Sequence, residues 1–339
     1  MPESFNILVQ RGLRSFLASM FSCILLLAFV VVLFPACDGK KDKGAGAPVE
    51  RSFPPMPTVP SMITDANESY EYIATHFWDA FLGKSYPCDS SLVNGVRNLE
   101  VEKAFGMYAA LLEMNCSRDF ATKAMSGLFS SVERFGKEND SSNVFGFFEK
   151  MVPKFLYDPN SPYRDEDLYL PYVSGLSESD LVSEDMKQAY SYDASMCSIN
   201  RAGTPAADFS FTDLKGRRHN LYGIKAGFTL LFFSNPGCHA CKEIMEKIEG
   251  NKFLQTLISD GKLAVVNVYI DRDITEWKAL AKEYPASWYS GYDQDYSVRS
   301  GVKYNVRAIP SLYLLDSEKN VVLKDAPEER IIQYLEKIR

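Results

Sequence analysis

The chain has 339 residues, 46% hydrophobic and 24% charged, with 44 Asp and Glu against 37 Lys and Arg. That length suits two modest domains plus a leader, and the composition is ordinary for globular protein. A net charge of −7 argues against a nucleic-acid partner, and the dispersed His76, His219 and His239 argue against a multi-histidine metal site. No Gly-rich phosphate loop is present, so neither metal nor cofactor is expected.

The N-terminus reads as an export signal over residues 1–37. Arg11 and Arg14 precede a nearly unbroken apolar run, 16–34, that ends in Pro35-Ala36-Cys37. A plain signal anchor is the alternative, because the run is long enough to span a bilayer. Either reading places the rest of the chain outside the cytoplasm, where disulfides persist. The cysteine at the end of the run resembles a lipobox, with Phe34 where Leu is usual. That resemblance implies a lipidated Cys37, a membrane lipid anchor and a place in the cell envelope, on the periplasmic side or at the outer membrane.

Residues 38–64 are rich in Lys, Gly and Pro without an apolar period and read as a flexible linker. An all-helical domain is expected over 65–198. Tyr70, Ile73, Ala74, Phe77, Trp78 and Phe81 form one apolar stripe. Further stripes run through Val101, Phe105, Tyr108 and Leu112; through Phe120, Met125, Leu128, Val132 and Phe135; and through Phe148, Met151, Val152 and Phe155. The segment YDPNSPYRDED, 157–167, must be a loop, and weaker helical spacing resumes over 168–186. No acid–base pair, metal cluster or nucleophile stands out in this half, so its aromatic stripes read as core.

Beyond Arg201 the period changes. A hairpin is expected from 208–212 and 217–222 around Lys215-Gly216, and a doubly buried strand from FTLLFFS, 228–234. Helical spacing follows at Cys241, Ile244, Met245 and Ile248. A strand over 262–270, a helix over 274–284, a hairpin from 311–315 and 320–323, and a helix over 328–338 complete a mixed α/β domain at 202–339.

Cys238-His239-Ala240-Cys241 directly follows the apolar strand and opens a helix, the setting of a redox CxxC. Residues i and i+3 at a helix start share one face, so the two sulfurs can join. Unpaired N–H groups and the helix dipole stabilise a thiolate at the first position. Cys238 is therefore expected to be the nucleophile and Cys241 the resolving thiol, with His239 lowering the thiol pKa if protonated. Ile309-Pro310 stands immediately before the strand SLYLL, where a proline removes no ladder bond.

Together AGTPAADFSFTDLKG, LLFFSNPGCHACKEI, VVNVYID, AIPSLYLLD and VVLKDA resemble the thioredoxin-like modules of envelope lipoproteins, relatives of the membrane-tethered reductants of cytochrome maturation. The 157–167 segment resembles the helical domain of unknown function that precedes such modules. The resemblance implies a thioredoxin-like fold, a central mixed sheet flanked by helices, preceded by the all-α domain. It implies a cis Pro310 across from the CxxC, and at Ile309-Pro310 the place where substrate backbone docks. It further implies thiol–disulfide exchange with protein disulfide substrates, as reductant or isomerase, fed by an upstream membrane thiol donor.

Two other functions compete. A peroxiredoxin-type peroxidase usually has Thr three residues and Pro seven residues before its cysteine, where this chain has Asn235 and Leu231. The other is a non-enzymatic surface lipoprotein whose helical domain binds a partner. Cys88, Cys116 and Cys197 are an odd number; one bridge, Cys88–Cys116 or Cys116–Cys197, would leave one thiol free.

Overall fold

The computed structural model describes residues 50–87 and 89–338. The signal and lipidation expectations, Cys37 included, lie outside the described residues, and so does Cys88. No helix of the described residues is long and apolar enough to cross a membrane.

The first half is helical: α1 Ala66–His76, α2 Asp79–Leu82, α3 Asn98–Asn115, α4 Arg118–Glu138, α5 Val144–Leu156, α6 Glu166–Glu178 and α7 Glu184–Cys197. The stripes explain the packing. In α4 the buried residues are Ala121, Met125, Leu128, Phe129, Val132 and Phe135, one face of a helix that Ser117 caps through the Phe120 N–H. Trp78 packs edge-on to Phe148 and Phe81, with ring centroids 5.1 and 5.8 Å apart, and anchors an aromatic core with Phe105 and Tyr108.

Four details depart from the sequence expectation. The first stripe breaks at Phe77-Trp78 into two helices, and the weak spacing of 168–186 resolves into α6 and α7 separated at Ser179. A short hairpin, β1 Leu92–Val93 and β2 Val96–Arg97, interrupts the helices; Asn94 (φ 49°) and Gly95 (φ 77°) make its turn. Asn-Gly is the residue pair that favours such a turn, because both positions need positive φ. Finally, residues 50–62, expected to be part of a free linker, include docked residues. Phe53 stacks on Phe81 at 5.5 Å and its N–H donates to Glu100 Oε2, while Arg51 Nε donates to the Asn94 carbonyl.

The second half is a seven-stranded sheet of order β4-β3-β7-β6-β5-β8-β9. Its strands are β3 Ser210–Asp213, β4 Arg218–Asn220, β5 Phe228–Phe233, β6 Leu263–Tyr269, β7 Tyr289–Tyr292, β8 Ser311–Leu315 and β9 Val321–Leu323. The helices α8 His239–Gly250, α9 Lys252–Ser259, α10 Ile274–Leu280 and α11 Glu328–Lys337 complete it. β5 runs parallel to β6 and antiparallel to β8. Its side chains alternate between two cores: Leu231 and Phe233 pack with Val266, Tyr313 and Phe209, whereas Leu230 and Phe232 pack with Ile244, Leu312 and Ile331. Burial of both faces is why FTLLFF reads as a continuous apolar run. Strand β7 and helix α9 were not expected. β7 is four residues with a glycine at its centre, and a Cβ at Gly291 would stand 2.6 Å from the Phe211 ring.

Candidate redox site

The site forms where β5 ends. Ser234 follows the strand and its hydroxyl bonds the buried Asn267 side chain of β6 at 3.1 Å. Asn235 Nδ2 donates to Asp271 Oδ2 at 2.6 Å, and Asp271 pairs with Arg299 at 3.2 Å. These bonds fix the Asn235-Pro236-Gly237 turn, in which the Cys238 N–H donates to the Asn235 carbonyl. Gly237 has φ +72°, a left-handed value that a side chain would strain.

Cys238 caps α8, and its sulfur accepts from the Cys241 N–H at 3.2 Å. The two cysteines are joined in a disulfide, with Cα atoms 5.3 Å apart. Cys241 is buried at 5% exposure beside Ile244, and Cys238 is half-exposed. On reduction, the more accessible sulfur is also the one at the positive end of a twelve-residue helix.

Across from the motif, β8 pairs antiparallel with β5, Ser311 opposite Phe233. Continuing that register, Pro310 lies beside Ser234, at the base of the CxxC turn. The Ile309–Pro310 peptide bond is cis. Ile309 is half-buried and touches the cores on both sheet faces, the one holding Cys241 included. Trp277 and Trp288 are buried packing residues, the latter 6.3 Å from the Phe232 ring.

His239, expected to tune the thiol, is the first residue of α8. Its ring is 86% exposed and its Nδ1 lies 3.5 Å from Glu243 Oε1. Of the bridges considered for the other cysteines, Cys116–Cys197 does not form, and Cys88 lies outside the described residues. Cys116 and Cys197 are free thiols, and burial pushes the Cys116 thiol up to about 11 and that of Cys197 higher still. Among the described residues no group of three or more His, Cys, Asp and Glu is placed to hold a metal.

Sequence reasoning missed the surroundings of the Ile309–Pro310 segment. Arg307 pairs with Glu166 and Asp325, each at 3.0 Å, and Ser311 Oγ donates to Asp325 Oδ1 at 2.7 Å. It also missed Glu276, whose carboxylate borders the Gly237 turn.

A family described as thioredoxin-like matches residues 228–321, and the domain of unknown function DUF5106 matches residues 36–200. Over both parts, the crystal structure of a thioredoxin-like protein from Bacteroides caccae is 30% identical, with a TM-score of 0.71; the match covers 84% of this chain and 98% of that one. The chain belongs to the thioredoxin-like family. A C-terminal domain of an uncharacterized protein from Bacteroides fragilis is 40% identical over 40% of this chain and 98% of its own, with a TM-score of 0.40. The thioredoxin domain of a thiol-disulfide oxidoreductase from Bacteroides vulgatus is 24% identical over 41% and 97%, with a TM-score of 0.36. No curated protein matches the chain. This thioredoxin-like protein thus carries its CxxC at the strand-to-helix junction of the family's fold, behind a largely helical domain.

Proposed function

We propose that this protein is a thiol–disulfide oxidoreductase of the cell envelope that reduces or isomerises disulfides in protein substrates. The single observation that carries the reading is the Cys238–Cys241 disulfide at the N-terminus of α8, directly after the central strand, with cis Pro310 immediately before Ser311, the residue that pairs with Phe233 at that strand's end. The envelope location is proposed from the export-type N-terminus, with Cys37 as the lipid-anchored residue.

In the reduced protein the Cys238 thiolate attacks one sulfur of a substrate disulfide. A Cys238–substrate bond forms, the substrate S–S bond breaks, and one substrate sulfur leaves as thiolate and takes a proton from water. Cys241, after losing its proton to water, attacks Cys238 sulfur. The Cys238–Cys241 bond forms, the mixed disulfide breaks, and the second substrate sulfur leaves and is protonated. The substrate gains two electrons and the protein loses two. An upstream membrane thiol donor would return them, because a bacterial periplasm has no reducing buffer. The Ile309–Pro310 segment holds the substrate backbone during the exchange.

The test is insulin reduction with the thiol donor dithiothreitol. Wild-type protein should turn over and Cys238→Ser should not, while pre-reduced Cys241→Ser mixed with insulin in the absence of dithiothreitol should accumulate a covalent complex that dithiothreitol then releases. Turnover by Cys238→Ser at the wild-type rate would end this mechanism.

A further inference from the structure

The 157–167 segment has no reactive group of its own, yet the fold sets it against the redox half of the molecule. The residue it grips is Arg307, three positions before Pro310. The Arg307 guanidinium lies 4.0 Å from the centre of the Tyr157 ring. Its Nε donates to Glu166 Oε1 and its Nη2 to Asp325 Oδ2, both at 3.0 Å. The other Asp325 oxygen accepts from Ser311, the residue directly after Pro310. The Ile309–Pro310 step is therefore fastened on both flanks to one carboxylate, and from the helical half by Tyr157 and Glu166.

These groups are buried. The Glu166 side chain is 1% exposed and its second oxygen lies 2.8 Å from Lys324 Nζ, itself 1% exposed; the Arg307 side chain is 13% exposed. Buried ion pairs add little net stability over apolar packing, because desolvation opposes their attraction. A planar guanidinium held by two carboxylates and a ring face does fix direction as well as distance.

We infer that the helical domain, through Tyr157 and Glu166, positions the cis-proline segment of the redox site, and that Glu166 and Arg307 are positioning residues for the protein substrate. This rests on the reading above that substrate backbone docks at Ile309–Pro310. The helical domain is then a working part of the substrate-binding side of the site.

A simpler role would be to glue the two halves together. Asp165, next door, separates the two. It bonds Arg118 and Arg330 at 2.7 and 2.9 Å, bridging α4 to α11 across the same interface without touching the Arg307 cluster. The experiment compares wild type, Glu166→Gln, Tyr157→Leu and Asp165→Asn by amide exchange over residues 303–313 and by insulin-reduction kinetics. Both Glu166→Gln and Tyr157→Leu should speed exchange in that segment about ten-fold, the effect of losing one charge-assisted contact. Their KM for insulin should rise by roughly the same factor, with kcat within about two-fold, because misplacement weakens docking and leaves the thiols intact. Asp165→Asn should lower the melting temperature and leave segment exchange and KM at wild-type values.

Wild-type exchange and KM in Glu166→Gln would overturn the inference, as would an Asp165→Asn variant that moves both as far. Should Glu166→Gln not fold, Tyr157→Leu decides on the same readouts. If wild type reduces no disulfide, the proposed function fails, and segment exchange alone decides the positioning claim.

Discussion

Asp165 offers a stability test whose size can be worked out. It is fully buried, caps α6 through the N–H groups of Asp167 and Leu168, and bonds Arg118 and Arg330. Burial pushes its carboxyl up, but the two guanidinium groups outweigh burial and hold it at about 2, against an ordinary 3.8. At about 1.4 kcal/mol per pH unit, that difference is worth about 2 kcal/mol. The native value lies below the unfolded one. The contribution is therefore fully present above about pH 4 and is lost as pH falls from about 4 to about 2. Asp165→Asn keeps a good cap but leaves two arginines without their shared anion, which at neutral pH should cost about 3 kcal/mol. Urea unfolding of both proteins at pH 6, 4 and 2.5 should show that gap shrinking by about 2 kcal/mol toward the acid end. Asp325, which burial pushes above the usual carboxylate range, is present in both proteins and largely cancels in the difference; Glu113 and Asp167, raised by burial and also by Asp165 itself, relax in the variant and offset part of the change. A gap that stays constant across the series would refute the argument.

Two further outcomes follow from packing and burial. A Cβ at Gly175 of α6 would stand 2.3 Å from the Phe129 ring, so Gly175→Ala should lose about 1–3 kcal/mol in urea unfolding despite its better helix propensity. Native protein treated with iodoacetamide at pH 7 should leave the buried Cys197 unmodified until denaturant is added and should label the partly exposed Cys116 more slowly than a free cysteine, because burial raises both thiols. Mass spectrometry of the two cysteine peptides checks this.

What the sequence makes legible depends on how local the cause is. The CxxC stands out because strand, turn and helix are contiguous, and both sulfurs fall on one helical turn. The stripes of α3, α4 and α5 stand out because a 3.6-residue period needs only a dozen residues to declare itself. Glu166 and Arg307 are different. They are 141 residues apart, and Glu166 falls in the 157–167 segment that reads as a loop, whereas in the fold Asp165 caps a helix starting at Glu166 and all of 165–167 is buried. Strand β7 was hidden for the opposite reason: it is short, has little apolar alternation, and exists because β3 and β6 supply partners on both sides. The docking of Arg51 and Phe53 was masked by the Pro-rich composition around them.

The most direct test of the central claim is the pH dependence of alkylation in the reduced protein. With limiting iodoacetamide, Cys238 should take the label before Cys241, with a midpoint below the ~8.5 of a free cysteine. Label appearing first on Cys241, or a Cys238 midpoint at or above that of free cysteine, would contradict a thiolate held at the start of α8.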